Sequence, residues 1–178
     1  MVYKLILLGD GAVGKTSLKK QYLGKGFSND YLPTLGVDFT VMRYGPNDVN
    51  ALQIWDLAGQ PGYESVRKTY YAGTGAALLI YDLTRSETLR SLSSWMVELL
   101  ANRKSLYKMP VVLVGNKNDL EIDPEENIRL RNEAKRYASR LTMQLGVEVP
   151  YYVTSAKSGE NVKEMFEWLI DKLQLVVQ

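Results

Sequence analysis

A glycine-rich segment near the N-terminus constrains the fold more than any other feature of the sequence. The apolar run at residues 3–8 has the length and composition of a buried strand, and GDGAVGKT follows it directly at residues 9–16. This segment matches the pattern G-x-x-x-x-G-K-[ST] at every fixed position. Residues 17–23 can continue as a helix. The order strand, glycine-rich loop, helix is the structural context that this pattern requires.

A loop of this kind is suited to binding a polyphosphate. Its glycines let successive backbone N–H groups point inward, and the helix N-terminus adds a partial positive charge. Lys15 can then reach the β- and γ-phosphates, while the Thr16 hydroxyl can hold Mg²⁺. The alternative is an accidental match in an ordinary strand-turn-helix, which average residue frequencies produce on the order of once in a hundred such chains. We therefore predict a nucleoside-triphosphate site.

The composition limits the chemistry that this site can use. With 178 residues, 46% of them hydrophobic, the chain should form one domain over residues 1–178 with a substantial core. It contains neither cysteine nor histidine, which excludes disulfides, thiolate metal sites and catalysis by either side chain. Lysine, carboxylates, glutamine, hydroxyls, backbone amides and a bound metal remain.

Charge and hydropathy also narrow the partners and the location. A formal charge of +2 is too small to indicate nucleic acid as the principal partner. No apolar run is long enough to span a membrane, and the N-terminus enters the first strand without room for a signal peptide. We expect a cytoplasmic protein.

Apolar strands alternate with amphipathic helices along the rest of the chain. Strands are predicted at residues 37–44, 52–56, 76–81, 111–114 and 149–153, and the turn at residues 45–48 joins the first two of these as a hairpin. Helices are predicted after a capping box at residues 84–87, at residues 124–145 and after residue 161, whereas residues 27–36 and 57–73 should be irregular. In the first of these helices Leu92, Trp95, Met96, Leu99 and Leu100 should point inward. This alternation predicts an α/β fold: a six-stranded, mostly parallel sheet with one antiparallel edge strand and helices on both faces.

Ligands of such sheets bind beyond the carboxyl ends of the strands, so the loops there are candidate sites. The loop after the third strand contains Asp56, Gly59 and Gln60. An aspartate at this position can hold Mg²⁺, directly or through water, and Gly59 can bring its N–H close to a γ-phosphate. Alone, the pattern D-x-x-G is common and usually marks only a turn.

Two further loops have side chains suited to a purine base. The fifth strand is followed by Asn116-Lys117-Asn118-Asp119, and the sixth by Ser155-Ala156-Lys157. The Asp119 carboxylate can accept two parallel hydrogen bonds, which guanine offers and adenine does not. The aliphatic stems of Lys117 and Lys157 can cover both faces of the base. An isolated N-K-x-D is equally compatible with a capping or turn aspartate beside solvated lysines.

Together the four patterns resemble those of the small GTPases of the Ras superfamily, in the same order and over essentially the whole chain. The resemblance implies a P-loop NTPase (Ras-like) fold that binds GTP or GDP with Mg²⁺ and hydrolyses GTP slowly. It implies that Phe27 packs on the guanine, that the Ala156 N–H binds the guanine oxygen, and that the two irregular loops are switch segments. Thr34 would close on Mg²⁺ and the γ-phosphate, and Gln60 would orient the attacking water.

The resemblance therefore yields three groups of site residues. The catalytic residues would be Gln60 and Lys15. The metal ligands would be Thr16, Thr34 and Asp56. The nucleotide-binding residues would be Gly11, Val13, Gly14, Lys15, Thr16, Ser17, Phe27, Thr34, Gly59, Asn116, Lys117, Asp119, Ser155, Ala156 and Lys157.

Within the superfamily the sequence is most similar to Rab proteins, notably at residues 35–39, 52–55 and 79–84. Phe39, Trp55 and Tyr70 match the aromatic triad that Rab proteins present to effectors; core packing of these rings is the alternative. The resemblance implies a monomer whose switch loops and triad bind effectors, exchange factors and GTPase-activating proteins.

Three features depart from the Rab pattern and are compatible with a prokaryotic or archaeal Rab-like protein. The chain lacks the C-terminal cysteines that carry prenyl groups, so membrane association would need partners or a missing tail. Residues 62–65 differ, and Pro61 replaces an acidic residue. Because a residue before proline is pushed toward extended angles, Gln60 is held either ready for the water or away from it. We expect the second, because Gly62 lets the loop wander. Residues 25–36 contain no arginine, and Arg67 is expected to be a surface charge.

Two rival functions remain from the sequence. A P-loop kinase or ATPase would need a lid and an acceptor pocket, for which the chain has no spare segment. A binding module that holds GTP without turnover is disfavoured by Gln60, although only moderately.

Overall fold

A single sheet forms the centre of the computed structural model, which describes residues 1–28, 33–104 and 108–175. Within these residues the sheet has six strands in the order β2-β3-β1-β4-β5-β6. The strands are β1 (Val2–Leu8), β2 (Val37–Tyr44), β3 (Asn50–Leu57), β4 (Ala76–Asp82), β5 (Val111–Asn116) and β6 (Tyr151–Val153). The helices are α1 (Lys15–Tyr22), α2 (Glu64–Tyr70), α3 (Ser86–Arg90), α4 (Leu92–Asn102), α5 (Pro124–Leu145) and α6 (Val162–Leu175).

The pairing of the strands confirms the predicted architecture. Strand β1 pairs in parallel with both β3 and β4, and β5 pairs in parallel with β4 and β6. The edge strand β2 is antiparallel to β3, to which a 3₁₀ turn at Pro46–Asp48 connects it. Every residue of β4 is buried, as expected for a parallel strand covered on both faces.

Helices cover both faces of the sheet because the strand side chains alternate between the faces. In β1, Leu5 and Leu7 belong to the core cluster that includes residues of α1 and α6. Ile6 and Leu8 belong to the opposite cluster, which includes residues of α3, α4 and α5. The two core clusters thus hold the helices against the two faces of the central sheet.

The longest helix begins and ends at the residues that the sequence predicts. The Glu126 N–H donates to the Asp123 carboxylate at 2.9 Å, so Asp123 caps α5 and Pro124 occupies its first position. At the other end Gly146 adopts a left-handed conformation with φ 63°. The inward face of α5 includes Leu130, Ala134 and Leu141, which are buried.

Three predictions of local structure are wrong. The capping box at residues 84–87 does not form, because the Thr84 N–H and hydroxyl both donate to Asp82 Oδ1, at 2.9 and 2.7 Å. The helix there is divided into α3 and α4, and Leu100, predicted to point inward, is 38% exposed. Residues 57–73 are not wholly irregular, since they contain α2, whose sequence has no apolar periodicity.

The fold brings the predicted site loops to one edge of the sheet. The carboxyl ends of the parallel strands β1, β3, β4, β5 and β6 lie at this edge. The start of β2 lies there too, because Val37 pairs with Leu57 across the antiparallel ladder. Part of the predicted irregular loop at residues 27–36 falls on residues 29–32, which lie outside the described residues. No helix in the described part of the chain is long and apolar enough to cross a bilayer.

Candidate nucleotide-binding site

A cleft of about 460 Å³ opens at this edge of the sheet. Most of the predicted site residues line it. They are Gly11, Gly14, Lys15, Thr16, Ser17, Phe27, Thr34, Gly59, Gln60, Asn116, Lys117, Asp119, Ala156 and Lys157. Three predicted residues, Val13, Asp56 and Ser155, do not line the cleft but contact residues that do.

Close contacts with β5 hold the glycine-rich loop, which we call the phosphate loop (residues 9–16). The Asn116 side-chain N–H donates to the Val13 carbonyl at 2.9 Å, while the Val13 side chain is buried in the core. Gly14 has φ 100°, and a Cβ at this position would lie 2.2 Å from Asn116 Nδ2. Only glycine therefore fits here, and the approach of Asn116 sets the path of the loop.

The ammonium of Lys15 is held inside the curve of the phosphate loop. Lys15 is 6% exposed, and its Nζ donates to the carbonyls of Gly9 at 2.6 Å and Asp10 at 2.8 Å. Burial lowers the pKa of Lys15 to about 8, although the charges of Asp56 and Asp10 oppose this shift. Phosphate oxygens near Nζ would favour its charged form.

Oxygen ligands suited to a divalent cation meet beside Lys15. The Thr16 hydroxyl donates to Asp56 Oδ2 and lies 3.0 Å from the Thr34 hydroxyl. Burial raises the pKa of the Asp56 carboxyl, opposed by the Thr16 hydrogen bond and by two lysines. Among the described residues nothing bonds the buried Asp56 Oδ1. A buried carboxylate with a spare oxygen beside two hydroxyls fits Mg²⁺, which prefers oxygen ligands.

The chain leaving β3 runs against the phosphate loop. A Cβ at Gly59 would lie 2.5 Å from the Gly9 oxygen and from Lys15 Nζ, so no larger residue fits without displacing the loop. The side chain of Gln60 lies next to Gly11: its Cγ would be 3.6 Å from a Cβ placed there. The predicted water-orienting residue therefore lies beside the phosphate loop.

The prediction that Arg67 is a surface charge is wrong. Arg67 is 4% exposed, and its Nε and NH2 donate to the Glu98 carboxylate at 3.1 and 3.2 Å. Its NH1 donates to the carbonyls of Ala58 at 3.3 Å and Gln60 at 3.4 Å. Sequence reasoning missed this role because Glu98 is 31 residues away and no local pattern indicates the pair.

The loops after β5 and β6 are connected to each other by hydrogen bonds. The Ser155 hydroxyl donates to Asp119 Oδ1 at 2.6 Å, and the Ala156 N–H donates to Asn116 Oδ1 at 3.1 Å. Phe27, which also lines the cleft, is 40% exposed. Ser155 thus orients the carboxylate of Asp119, whereas the N–H predicted to bind a base oxygen is bonded to Asn116.

Sequence reasoning also missed Asp82, which holds Lys117. The Lys117 Nζ lies 2.7 Å from Asp82 Oδ2, and Arg85 Nε lies 3.0 Å from the same oxygen. Arg85 NH2 also donates to the Gly11 carbonyl at 2.9 Å. Burial would raise the pKa of the Asp82 carboxyl, but the hydrogen bonds from Lys117 and Thr84 outweigh it and hold the pKa below its usual value. Its position at the carboxyl end of β4 was the signal that could have found it. Lys157 is exposed at the rim.

The three aromatic residues of the predicted triad form a row across β2, β3 and α2. The ring centroids of Phe39 and Trp55 are 4.8 Å apart, and those of Trp55 and Tyr70 are 5.4 Å apart. Phe39 is 47% exposed, whereas Trp55 and Tyr70 are half-buried and pack against the core. The row therefore combines a surface ring with two rings that also contribute to packing.

The class of protein follows from this arrangement. A mostly parallel sheet carries a glycine-rich loop after β1, clustered oxygen atoms at the end of β3, and the predicted base-recognition patterns after β5 and β6. The protein is a P-loop GTPase of the small, single-sheet type.

Comparison with known proteins identifies the family. The family model described as Ras family matches residues 4–175. The chain is 39% identical over 167 residues to the Ypt/Rab-type GTPase ypt7 of Schizosaccharomyces pombe, covering 92% of this chain and 78% of that protein. It is 38% identical to the Ras-related protein Rab7 of Drosophila melanogaster, with 92% and 76% covered. It is 40% identical to the Ras-related protein RABG3f of Arabidopsis thaliana, with 92% and 78% covered. The chain belongs to the Ras family, and its similarity to these proteins makes it Rab-like.

Proposed function

We propose that this GTP-binding switch, which hydrolyses GTP slowly, selects guanine through Asp119 and holds the phosphates and Mg²⁺ through residues of the phosphate loop and of β3. The observation that carries the proposal is one continuous cleft lined by Lys15, Thr16 and Asp119. Because the same cleft contains a buried ammonium and a carboxylate, it suits a ligand that carries both phosphates and hydrogen-bond donors.

We infer that Thr16, Thr34 and Asp56 are the metal ligands. Their oxygens are clustered, and the Asp56 carboxylate is buried with one oxygen free of described partners. When bound, Mg²⁺ supplies positive charge against the β- and γ-phosphates. Thr34 belongs to the first irregular loop, and its hydroxyl already lies 3.0 Å from that of Thr16. We propose that contact with Mg²⁺ and the γ-phosphate holds it there, whereas the GDP form releases it.

Hydrolysis in this site depends on positioning rather than on a proton-abstracting side chain. The chain has no histidine, and Asp56 is committed to the metal. Lys15 would hold the β- and γ-phosphates, and the Gly59 N–H would donate to the γ-phosphate. Gln60, whose main chain is held through Arg67, would orient the attacking water, although inefficiently because Pro61 restricts its conformations. A site of this composition turns over slowly without an external arginine.

Effectors and regulators are proposed to bind where the switch loops meet the aromatic row. The row of Phe39, Trp55 and Tyr70 joins β2, β3 and α2. Phe39 follows the first irregular loop, and Tyr70 is the last residue of α2, within the second predicted switch segment. The affinity of a partner that contacted this row would therefore depend on the conformation of both switch segments.

Nucleotide competition tests the guanine assignment. Two charge-assisted hydrogen bonds of about 1.5–3 kcal/mol each should favour GTP over ATP by several hundredfold or more. Asp119→Asn should lose GTP and GDP affinity and gain affinity for xanthine nucleotides, whose 2-oxo group accepts from an amide. Asp123→Asn is the matched control, because an asparagine still caps α5 and Asp123 does not line the cleft. Unchanged GDP binding by Asp119→Asn would contradict the assignment.

A further inference from the structure

A second buried lysine lies beside the proposed metal site and has no role in the function described above. Lys19 lies on α1, three residues after Thr16, and is only 2% exposed. Its Nζ lies 2.5 Å from Asp38 Oδ2 and 3.9 Å from Asp56 Oδ2. An ammonium is rarely buried without a compensating charge, and here two carboxylates face it.

The two carboxylates are neighbours across the antiparallel β2–β3 pair. Asp38 is directly opposite Asp56 in the register of this pair, and like charges placed opposite each other repel. The hydrogen bond from Lys19 holds the pKa of the Asp38 carboxyl below its usual value. Lys19 therefore contributes a positive charge at the one place in the hairpin where two negative charges meet.

The Asp56 oxygen nearest to Lys19 also accepts from Thr16. Asp56 Oδ2 is bonded to the Thr16 hydroxyl and lies 3.9 Å from the Lys19 Nζ. Any cation that used this carboxylate would share it with an ammonium that is already present. At such a distance a second positive charge inside a protein weakens cation binding substantially.

We propose that Lys19 is a positioning residue, an internal cation that holds the Asp56 carboxylate and the start of β2 in place and thereby lowers the affinity of the site for Mg²⁺. This inference rests on the metal site proposed above. It predicts a specific sign: removing the charge makes Mg²⁺ bind more tightly while β2 becomes less firmly held. If Lys19 only held Asp56 in place, its removal would instead loosen Asp56 and weaken Mg²⁺ binding.

The dissociation constant of Mg²⁺ from the GDP-bound protein distinguishes the two roles of Lys19. It can be followed with a fluorescent GDP analogue while Mg²⁺ is titrated into metal-depleted protein. Lys19→Met keeps the aliphatic stem and removes the charge, and it should bind Mg²⁺ on the order of ten- to a hundredfold more tightly. Lys163→Met, which removes an exposed lysine that pairs with Glu167 on the same helix, is the control and should leave the constant unchanged.

Hydrogen exchange supplies the second readout. In Lys19→Met, amides at residues 37–40 should exchange faster in the GDP-bound form, because the tie between α1 and β2 is lost. If Lys19→Met does not fold, Lys19→Gln carries the same test, since it keeps a hydrogen-bond donor for Asp38 without the charge. Unchanged or weaker Mg²⁺ binding by the folded variant overturns the proposal.

One further variant separates failure of this inference from failure of the metal site itself. Asp56→Asn should greatly weaken Mg²⁺ binding if Asp56 is a metal ligand. If Asp56→Asn binds Mg²⁺ like the parent protein, the proposed metal site is wrong. If Asp56→Asn weakens binding but Lys19→Met does not tighten it, the metal site stands and only the role of Lys19 is overturned.

Discussion

Many polar groups of the cleft are already bonded to other protein atoms. Lys15 donates to two main-chain carbonyls, Ser155 bonds Asp119, and the Ala156 N–H is bonded to Asn116. These bonds hold the groups near the positions in which a nucleotide would meet them, so little ordering is left for binding to accomplish. A nucleotide that used Lys15 or the Ala156 N–H would exchange one hydrogen bond for another.

Pro61 is the residue whose effect on catalysis we consider most testable. Proline restricts Gln60 to extended angles and removes one N–H donor from the loop. We expect Gln60 to be held away from the water, so that intrinsic turnover does not exceed about 10⁻⁴–10⁻³ s⁻¹ and an external arginine gives a large acceleration.

Single-turnover GTP hydrolysis by the parent protein, Pro61→Glu and Gln60→Leu measures this effect. Pro61→Glu should be as fast as the parent or faster, because Gln60 regains its conformational range. Gln60→Leu gives the hydrolysis rate of a protein that lacks the side-chain amide, and it serves as the reference. A parent protein markedly faster than Pro61→Glu would show that the proline holds Gln60 ready for the water.

At the scale of elements, a chain of contacts joins α2, α4 and the phosphate loop. Arg67 lies over the Trp95 ring at 4.3 Å, and Trp95 Nε1 donates to Asp10 Oδ1 at 2.8 Å. The Tyr71 hydroxyl donates to Glu98 Oε1 at 2.7 Å, the carboxylate that Arg67 also bonds. The short helix α2 therefore depends on long-range contacts rather than on its own sequence.

Removing the guanidinium of Arg67 should destabilise the fold. Arg67→Met leaves the carbonyls of Ala58 and Gln60 without this donor and breaks a pair that is largely buried, which costs about 3 kcal/mol. Arg90→Met, whose pair with Glu133 is long and exposed, should cost less than about 1 kcal/mol. Urea unfolding of the GDP-bound proteins compares the two losses. Equal losses would mean that the Arg67 network contributes no more than a surface pair.

The aromatic row should separate partner binding from stability. Phe39 is 47% exposed, so Phe39→Ala should cost less than about 1 kcal/mol of folding free energy while greatly weakening a partner selective for the GTP form. Trp55→Ala should weaken the same partner but cost about 2–3 kcal/mol, because its ring packs against the core. Thermal unfolding and partner titration measure both effects. Full partner binding by Phe39→Ala would remove the row from the interface.

For the whole molecule, the switch function predicts where the GTP and GDP forms differ. Hydrogen exchange should differ across residues 25–36 and 57–71 and should be the same in the central strands. Thr34→Ala should keep GDP binding but lose most of the difference in the first segment, because the hydroxyl no longer responds to the γ-phosphate. Identical exchange in the two forms across both segments would rule out a switch.

The elements that the sequence predicted well depend on short-range patterns. The strand, phosphate loop and first helix follow from consecutive residues, and α5 follows from Asp123, Pro124 and Gly146. The antiparallel edge strand was predicted from alternation and a turn. Much of the cleft was predictable for the same reason, since the carboxyl ends of parallel strands meet at one edge.

The failures have two causes, contacts with distant parts of the chain and a competing local hydrogen bond. The polar sequence of α2 has no apolar stripe, and Thr84 bonds Asp82 rather than capping a helix. The fold supplies the long-range contacts of α2, such as Arg67 with Glu98, whereas Asp82 lies only two residues before Thr84 and competes locally for its N–H and hydroxyl.

By itself, then, the sequence determined a mostly parallel sheet, the phosphate loop and most of the loops that line the cleft, because strand and helix periods and glycine spacing are local properties of the chain. The tertiary structure alone decided which charges are buried. Arg67 meets a carboxylate 31 residues away, and Lys19 meets one 19 residues away on the opposite side of a loop. A charged side chain can be buried only if an opposite charge or a hydrogen-bond partner compensates it, and only the folded chain brings the two groups together.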